Sequence, residues 1–194
     1  IVAKLEIERA RGMGETDVTV LVGHLASRMV SETVLACGAR ASRTKVGHSL
    51  IKAQMLEENA VFGAEHSAHY YFRDFWFADS GLLAAMHFIK ALGEGAVSAS
   101  ALAAEYAAYP GSGEINLEVK DVTDALNRVK AAFETRGQID EFDGLTVSNT
   151  SEPDWWWFNL RSSNTEPLLR FNAEAASEGL LQKIISAVLP VIQS

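Results

Sequence analysis

Val18-Thr19-Val20-Leu21-Val22, followed after a short connection by Arg28-Met29-Val30-Ser31-Glu32-Thr33-Val34-Leu35-Ala36-Cys37, decides the fold class. The first run is short and continuously apolar, the pattern of a strand; the second places Met29, Val30, Val34 and Leu35 at helical spacing. A strand passing directly into a helix points to an α/β layer architecture. Reading outward, Lys45 to Ser49 turns the chain into another helix reaching about Asn59, with His48 and Ser49 near its start, where unpaired backbone donors attract anions. Val61 to Gly63 and His69 to Phe72 read as strands around a loop at Glu65. A helix is expected from about Asp79 to Leu92, with Leu82, Leu83, Met86, Ile89 and Leu92 as its inward stripe.

After a short helix, Ser98 to Tyr106, the string Tyr109-Pro110-Gly111-Ser112-Gly113 punctuates the chain and marks a boundary. Two domains are therefore expected, residues 1–108 and 112–194. The second opens with a strand alternating at Ile115, Leu117 and Val119, then a helix from Asp121 with Leu126, Val129 and Phe133 inward. Strands are expected at Gln138 to Glu141, Thr146 to Val147, Trp155 to Leu160 and Leu168 to Ala173, with Asp143-Gly144 as a turn. The closing helix, Ser177 to Leu189, buries Leu180, Leu181, Ile184, Ile185 and Val188. This order predicts an α+β domain: an antiparallel sheet with two helices on one face.

The 194 residues carry a net charge of −8 and are 48% hydrophobic. Such acidity argues against a nucleic-acid or anionic-membrane surface, so no partner of either kind is expected. A single cysteine, Cys37, forms no intrachain disulfide, and no apolar stretch reaches about 18 residues, which together predict a cytoplasmic protein. The chain begins at Ile1 and not at Met, so it is expected to be part of a longer protein.

Arg161-Ser162-Ser163-Asn164-Thr165-Glu166-Pro167 places one permanent cation and four short hydrogen-bonding side chains between two apolar runs. Arg presents a planar fork matched to two phosphate oxygens, and Ser, Asn and Thr add donors on a turn. The same residues also make an ordinary polar hairpin turn, so both readings stand on composition. Glu65, Ser67 and His69 alternate, so an extended loop would project them to one side, and a carboxylate accepts from two hydroxyls at once. His48 and His69 titrate near neutrality and suit substrate contact, with His69 the candidate for assisting proton transfer. Lys45 is a flexible point charge at a turn. Arg170 either reinforces the phosphate loop or pairs with Glu174 or Glu166. Trp155 and Trp157 share one strand face, for which core packing outweighs sugar stacking. No metal site is expected: Cys37 and the histidines have no zinc spacing, and Asp121-Val122-Thr123-Asp124 is a helix cap.

The loop at 161–167, continued as Leu168-Leu169-Arg170-Phe171-Asn172-Ala173-Glu174, resembles the phosphate-binding loop and following strand of the phosphohexomutases. Gly63-Ala64-Glu65-His66-Ser67-Ala68-His69 resembles that family's sugar-recognition loop, and Thr44-Lys45-Val46-Gly47-His48-Ser49 its Lys/Arg-x-Gly-His turn. The three occur in the family's order, and the likeness to bacterial phosphomannomutase/phosphoglucomutase covers nearly the whole chain. It implies a third domain with a mixed sheet, followed by a C-terminal domain similar to the TATA-binding-protein fold. It further implies that Glu65 and Ser67 bind sugar hydroxyls, with Lys45 and His48 beside them, and that Arg161, Ser163, Asn164, Thr165 and Arg170 hold phosphate. The family passes a phosphoryl group between an enzyme serine and either end of a hexose, through a hexose 1,6-bisphosphate, with Mg2+.

Neither a Thr-Ala-Ser-His-Asn-Pro type segment nor any Asp-x-Asp occurs in the 194 residues. The resemblance therefore implies the recognition half of an enzyme, inactive alone, whose N-terminal domains are its expected partner and hold the serine and Mg2+. Two alternatives stay open: a stand-alone sugar-phosphate-binding module, and a fragment of a phosphoglucosamine mutase, although that enzyme usually shows Ser-Gly-Thr where this chain has Ser163-Asn164-Thr165.

Overall fold

The computed structural model describes residues 1–95, 97–163 and 168–193. The apolar run at the start of the reading becomes β1 (Thr19–Gly23), buried at every position. It pairs in parallel with β2 (Arg40–Thr44) on one side and β3 (Phe62–Ala64) on the other. The antiparallel β4 (Tyr70–Phe72) and β5 (Ala78–Asp79) complete a mixed sheet in the order β2-β1-β3-β4-β5. Val20 and Val22 pack into one hydrophobic cluster and Leu21 into another. That two-sided burial explains a continuous run in place of alternation. Helices α1 (Val2–Gly12), α2 (Arg28–Ala36) and α4 (Gly81–Gly95) border the first cluster, and α3 (His48–Glu58) supplies Ile51 and Met55 to the second. Together with α5 (Ala99–Ala104) they make one compact unit, Ile1–Ala108.

Helix α1 has little sequence signature: it buries Ala3, Glu6, Ile7 and Ala10, so its inward stripe holds one large apolar side chain. Its Glu6 is 2% exposed and is gripped by Arg9 and by His87 Nε2, 3.0 Å away. His87 stacks on Phe72. This contact corrects the expected stripe of α4. The inward face carries Ala84 and His87 with Leu83, which packs on the first cluster as expected, while Leu82, Met86 and Ile89 are 74%, 57% and 66% exposed. Because α4 is apolar nearly all round, its own pattern does not choose a face, and the buried side is the one that meets Glu6, Phe72 and the first cluster. The helix also starts later than expected, at Gly81, because Ala78 and Asp79 pair with β4.

The second unit, Tyr109–Ser194, contains β6 (Ile115–Glu118), α6 (Val122–Phe133), β7 (Gln138–Asp140), β8 (Leu145–Asn149), β9 (Trp156–Ser162), β10 (Leu168–Ala175) and α7 (Glu178–Gln193). Its sheet, β6-β10-β9-β8-β7, is antiparallel throughout. Asp121 caps α6, its carboxylate accepting from the Asp124 amide at 3.0 Å. Both helices cover one face through Val129, Phe133, Leu181 and Val188, against Trp156, Phe158, Leu160, Leu169 and Phe171. Trp156 is thus the tryptophan of this cluster, and Trp155 is buried as well, as expected of a packing residue. Trp155 precedes the strand and meets Tyr109 edge to face, and Trp157, on the opposite face, donates to Glu174 at 3.2 Å. That opposite face is polar, carrying Asn159, Arg161, Arg170, Asn172 and Glu174, with Asn159 donating to Asp143 O and Thr146 Oγ1 at 2.9 Å each.

Candidate functional site

Strands β1, β2 and β3 run parallel with β1 between the other two, so their carboxyl ends share one edge of the sheet, the edge at which α/β sheets bind ligands. The expected sugar-recognition residues sit there. Glu65 follows β3 and is 8% exposed. Its Oε1 accepts from the Gly47 amide at 3.0 Å and its Oε2 from the Tyr71 hydroxyl at 2.7 Å. The first bond ties the Lys45-Val46-Gly47-His48 turn to the Glu65 loop across 18 positions of sequence. Gly47 adopts φ +135°, open to glycine, and the next residue begins α3. Gly23, closing β1, is equally constrained: a Cβ there would lie 2.8 Å from Ala64 O and 3.3 Å from Glu65 Cα.

The Glu65 loop is not extended, which corrects the alternation argument. The Ala68 amide donates to Glu65 O at 3.2 Å and the Glu65 amide to His69 O at 3.0 Å, closing a tight turn with Ala68 at φ +64°. A turn between paired strands returns the chain, so Glu65 and His69 stand together at its base by pairing, and exposed Ser67 lies at its tip. His69 Nδ1 lies 2.8 Å from Asp79 Oδ2, while Asp79 Oδ1 accepts from the Tyr70 amide at 2.8 Å. His48 lies edge-on to His69, ring centroids 4.4 Å apart, and to Tyr71 at 5.3 Å. Lys45 is exposed on the same turn.

The electrostatics follow from these contacts. Burial and the neighbouring Glu65 carboxylate drive the Tyr71 phenol far above its ordinary value, so it stays protonated and donates. Burial disfavours the Asp79 anion, but the His69 contact and the Tyr70 amide outweigh it and hold the carboxyl below the usual range. Asp79 and Tyr71 are site residues that the sequence reading did not single out. Asp79 reads as a helix start and Tyr71 only as part of a strand; strand pairing brings both beside Glu65 and His69.

In the second unit, Arg161 lies next to the end of β9 and stands directly opposite Arg170 of β10. Cross-strand partners share a face, and like charges so placed oppose pairing. Arg170 reaches Ser163 Oγ at 3.4 Å and Glu114 Oε1 at 3.6 Å, which joins it to the start of the loop as one of the expected alternatives had it; Glu166, another expected partner, lies outside the described residues. The Ser163 amide donates to Leu168 O at 2.9 Å. Arg161 Nε is buried without a hydrogen-bond partner among the described residues. Asn164 and Thr165, the other expected phosphate ligands, lie outside the described residues.

Residues 1–109 match the domain family described as phosphoglucomutase/phosphomannomutase, alpha/beta/alpha domain III, and residues 114–191 match phosphoglucomutase/phosphomannomutase, C-terminal domain. A phosphomannomutase of Methanocaldococcus jannaschii is 38% identical over 166 residues, covering 86% of this chain and 36% of that protein. Among solved structures, a phosphoglucomutase/phosphomannomutase family protein from Burkholderia thailandensis superposes with a TM-score of 0.78 at 25% identity, over 98% of this chain and 40% of that one. The Aspergillus fumigatus N-acetylphosphoglucosamine mutase, solved with GlcNAc-6P and magnesium, shares the fold at a TM-score of 0.67 and 13% identity, over 99% of this chain and 45% of that one. The chain thus spans less than half the length of each.

Proposed function

Because the chain belongs to the phosphoglucomutase/phosphomannomutase family, we propose that it is the substrate-recognition half of a mutase interconverting hexose 1-phosphate and hexose 6-phosphate. Residues 1–108 serve as the third domain and 112–194 as the C-terminal domain. Glu65 and Ser67 bind adjacent sugar hydroxyls, with Lys45 and His48 beside them, and His69 assists proton transfer. Arg161, Ser163, Asn164, Thr165 and Arg170 hold a phosphate.

The observation that carries this reading is the double anchoring of Glu65. A buried carboxylate held from two sides, by the Gly47 amide and the Tyr71 hydroxyl, has each oxygen fixed in place while keeping lone pairs for further donors. Two hydroxyls on neighbouring sugar carbons suit those lone pairs. The facing Arg161 and Arg170 support the phosphate half of the reading, because an anion between them turns a cross-strand repulsion into two charge-assisted contacts.

His69 has a stated part in this scheme. With Nδ1 committed to Asp79, proton exchange with a substrate hydroxyl falls to Nε2. Mg2+ does not fit the described residues of this chain. It demands hard oxygen ligands in near-octahedral array, whereas the Glu65 neighbourhood offers two imidazoles and a single carboxylate. The magnesium, the phosphoserine and the bisphosphate chemistry therefore belong to the remainder of the protein.

Titration calorimetry of the chain with glucose 1-phosphate and mannose 1-phosphate tests the reading. Binding is expected, weakened about tenfold or more by Arg161→Ala and by Glu65→Gln, since each decade corresponds to about 1.4 kcal/mol. Unchanged affinity in both variants would overturn the assignment.

A further inference from the structure

We propose that His48, Glu65 and His69 form a binding site for a borderline-soft divalent cation of the zinc class, independent of the sugar-phosphate reading. One ligand atom from each of the three lies within 4.8 Å of the other two, an arrangement drawn from the start of α3, the end of β3 and the base of the turn before β4. Two imidazoles and one carboxylate are a donor set that zinc enzymes use, leaving further positions to water. The set departs from the sequence expectation of no metal site because its members are not regularly spaced; folding alone gathers them.

Three features favour a cation over a chance cluster. First, His69 carries its own orienting carboxylate: Asp79 Oδ2 sits 2.8 Å from Nδ1, which assigns ligation to Nε2 and raises its basicity. Second, Glu65 is oriented by Gly47 and Tyr71, so both residues at the turn's base already possess the outer-shell partners that fix ligands. Third, His48 is exposed and edge-on to His69, so rotation of its side chain closes the separation toward the ligand spacing of about 3.4 Å set by tetrahedral zinc with bonds near 2.1 Å. Imidazole-rich ligation selects Zn2+, Co2+ or Ni2+ over Mg2+. Where Glu65 also reads sugar hydroxyls, an occupied metal site closes that face to the sugar, so trace zinc acts as an inhibitor through recognition.

Titrating the metal-free chain with Co2+ and recording the visible spectrum tests this. The strong bands of four- or five-coordinate cobalt are expected to saturate at one equivalent, to vanish on adding Zn2+ and to survive excess Mg2+. His48→Ala, at an exposed position, and Asp79→Asn, behind His69, should each weaken binding about 10- to 100-fold. His66→Ala, on the same turn, should leave it unchanged. Only the faint spectrum of hexaaqua cobalt, or equal affinity in the His48→Ala chain, would overturn the proposal.

Discussion

Replacing Tyr71 by Phe removes one oxygen from a fully buried position and leaves the ring where it packs against Leu21, Ile51 and Met55. The lost group is the 2.7 Å donor to Glu65 Oε2. Hydrogen bonds to charged groups contribute about 1.5–3 kcal/mol, and a buried carboxylate deprived of one partner also keeps its desolvation cost. Because Glu65 retains the Gly47 amide, the lower half of that range is expected, about 2 kcal/mol. With a urea m-value of about 1–3 kcal/mol per molar, the unfolding midpoint of the first unit should fall by roughly 1 M. Hydrogen exchange across β1 and β3 localises the loss to this unit. A double-mutant cycle with Glu65→Gln isolates the pair, and a coupling of at least 1 kcal/mol is expected for groups in direct contact. Strict additivity, or a Tyr71→Phe chain as stable as the parent, would refute the claim that the phenol holds the carboxylate.

Gly23→Ala should destabilise the first unit by about 1–3 kcal/mol and weaken sugar-phosphate binding together, because the added methyl would lie 2.8 Å from Ala64 O and must displace the Glu65 loop; thermal melts and calorimetry report the two effects. Ala68→Gly should stabilise the turn by about 0.5–1 kcal/mol, since φ +64° suits glycine; a destabilised variant in urea titration would contradict this. Glu15, Glu58, Asp74 and Asp79 all have carboxyls held below their ordinary range, Glu15 by Arg73, and the others against opposing burial by their hydrogen-bond and charged partners. A carboxyl depressed in the folded state contributes stability that is present above the ordinary carboxylate range and is lost as pH falls through its folded value. The first unit should therefore weaken below about pH 4, and urea midpoints independent of pH between neutrality and acid would oppose this.

Much of the architecture is legible along the chain because the determinants are local. The apolar run before Gly23 and the Asp121 cap both act within a few residues, and so does the glycine turn at Gly144, at φ +74°. Two features resist such reading. Helix α1 presents mainly alanine and one isoleucine inward, and its buried Glu6 looks like a surface charge until His87 and Arg9 meet it. Strand β2, Arg40-Ala41-Ser42-Arg43-Thr44, is polar because it lies at a sheet edge, and only its parallel pairing with β1 makes it a strand.

The sequence by itself picked out the candidate residues and their order: the Lys45 to His48 turn, the Glu65 loop, and the arginines at 161 and 170. Only the tertiary structure decided which groups stand beside them. The Gly47 amide, the Tyr71 hydroxyl and the Asp79 carboxylate are common groups with no signature in one dimension, and they become site components because parallel strands end at one edge and a hairpin turns back on itself. The same reasoning separates Leu82, Met86 and Ile89 from the core, since burial is settled by which partner a face meets. Periodicity can mark an apolar side, whereas the contact that covers it is a property of the folded chain.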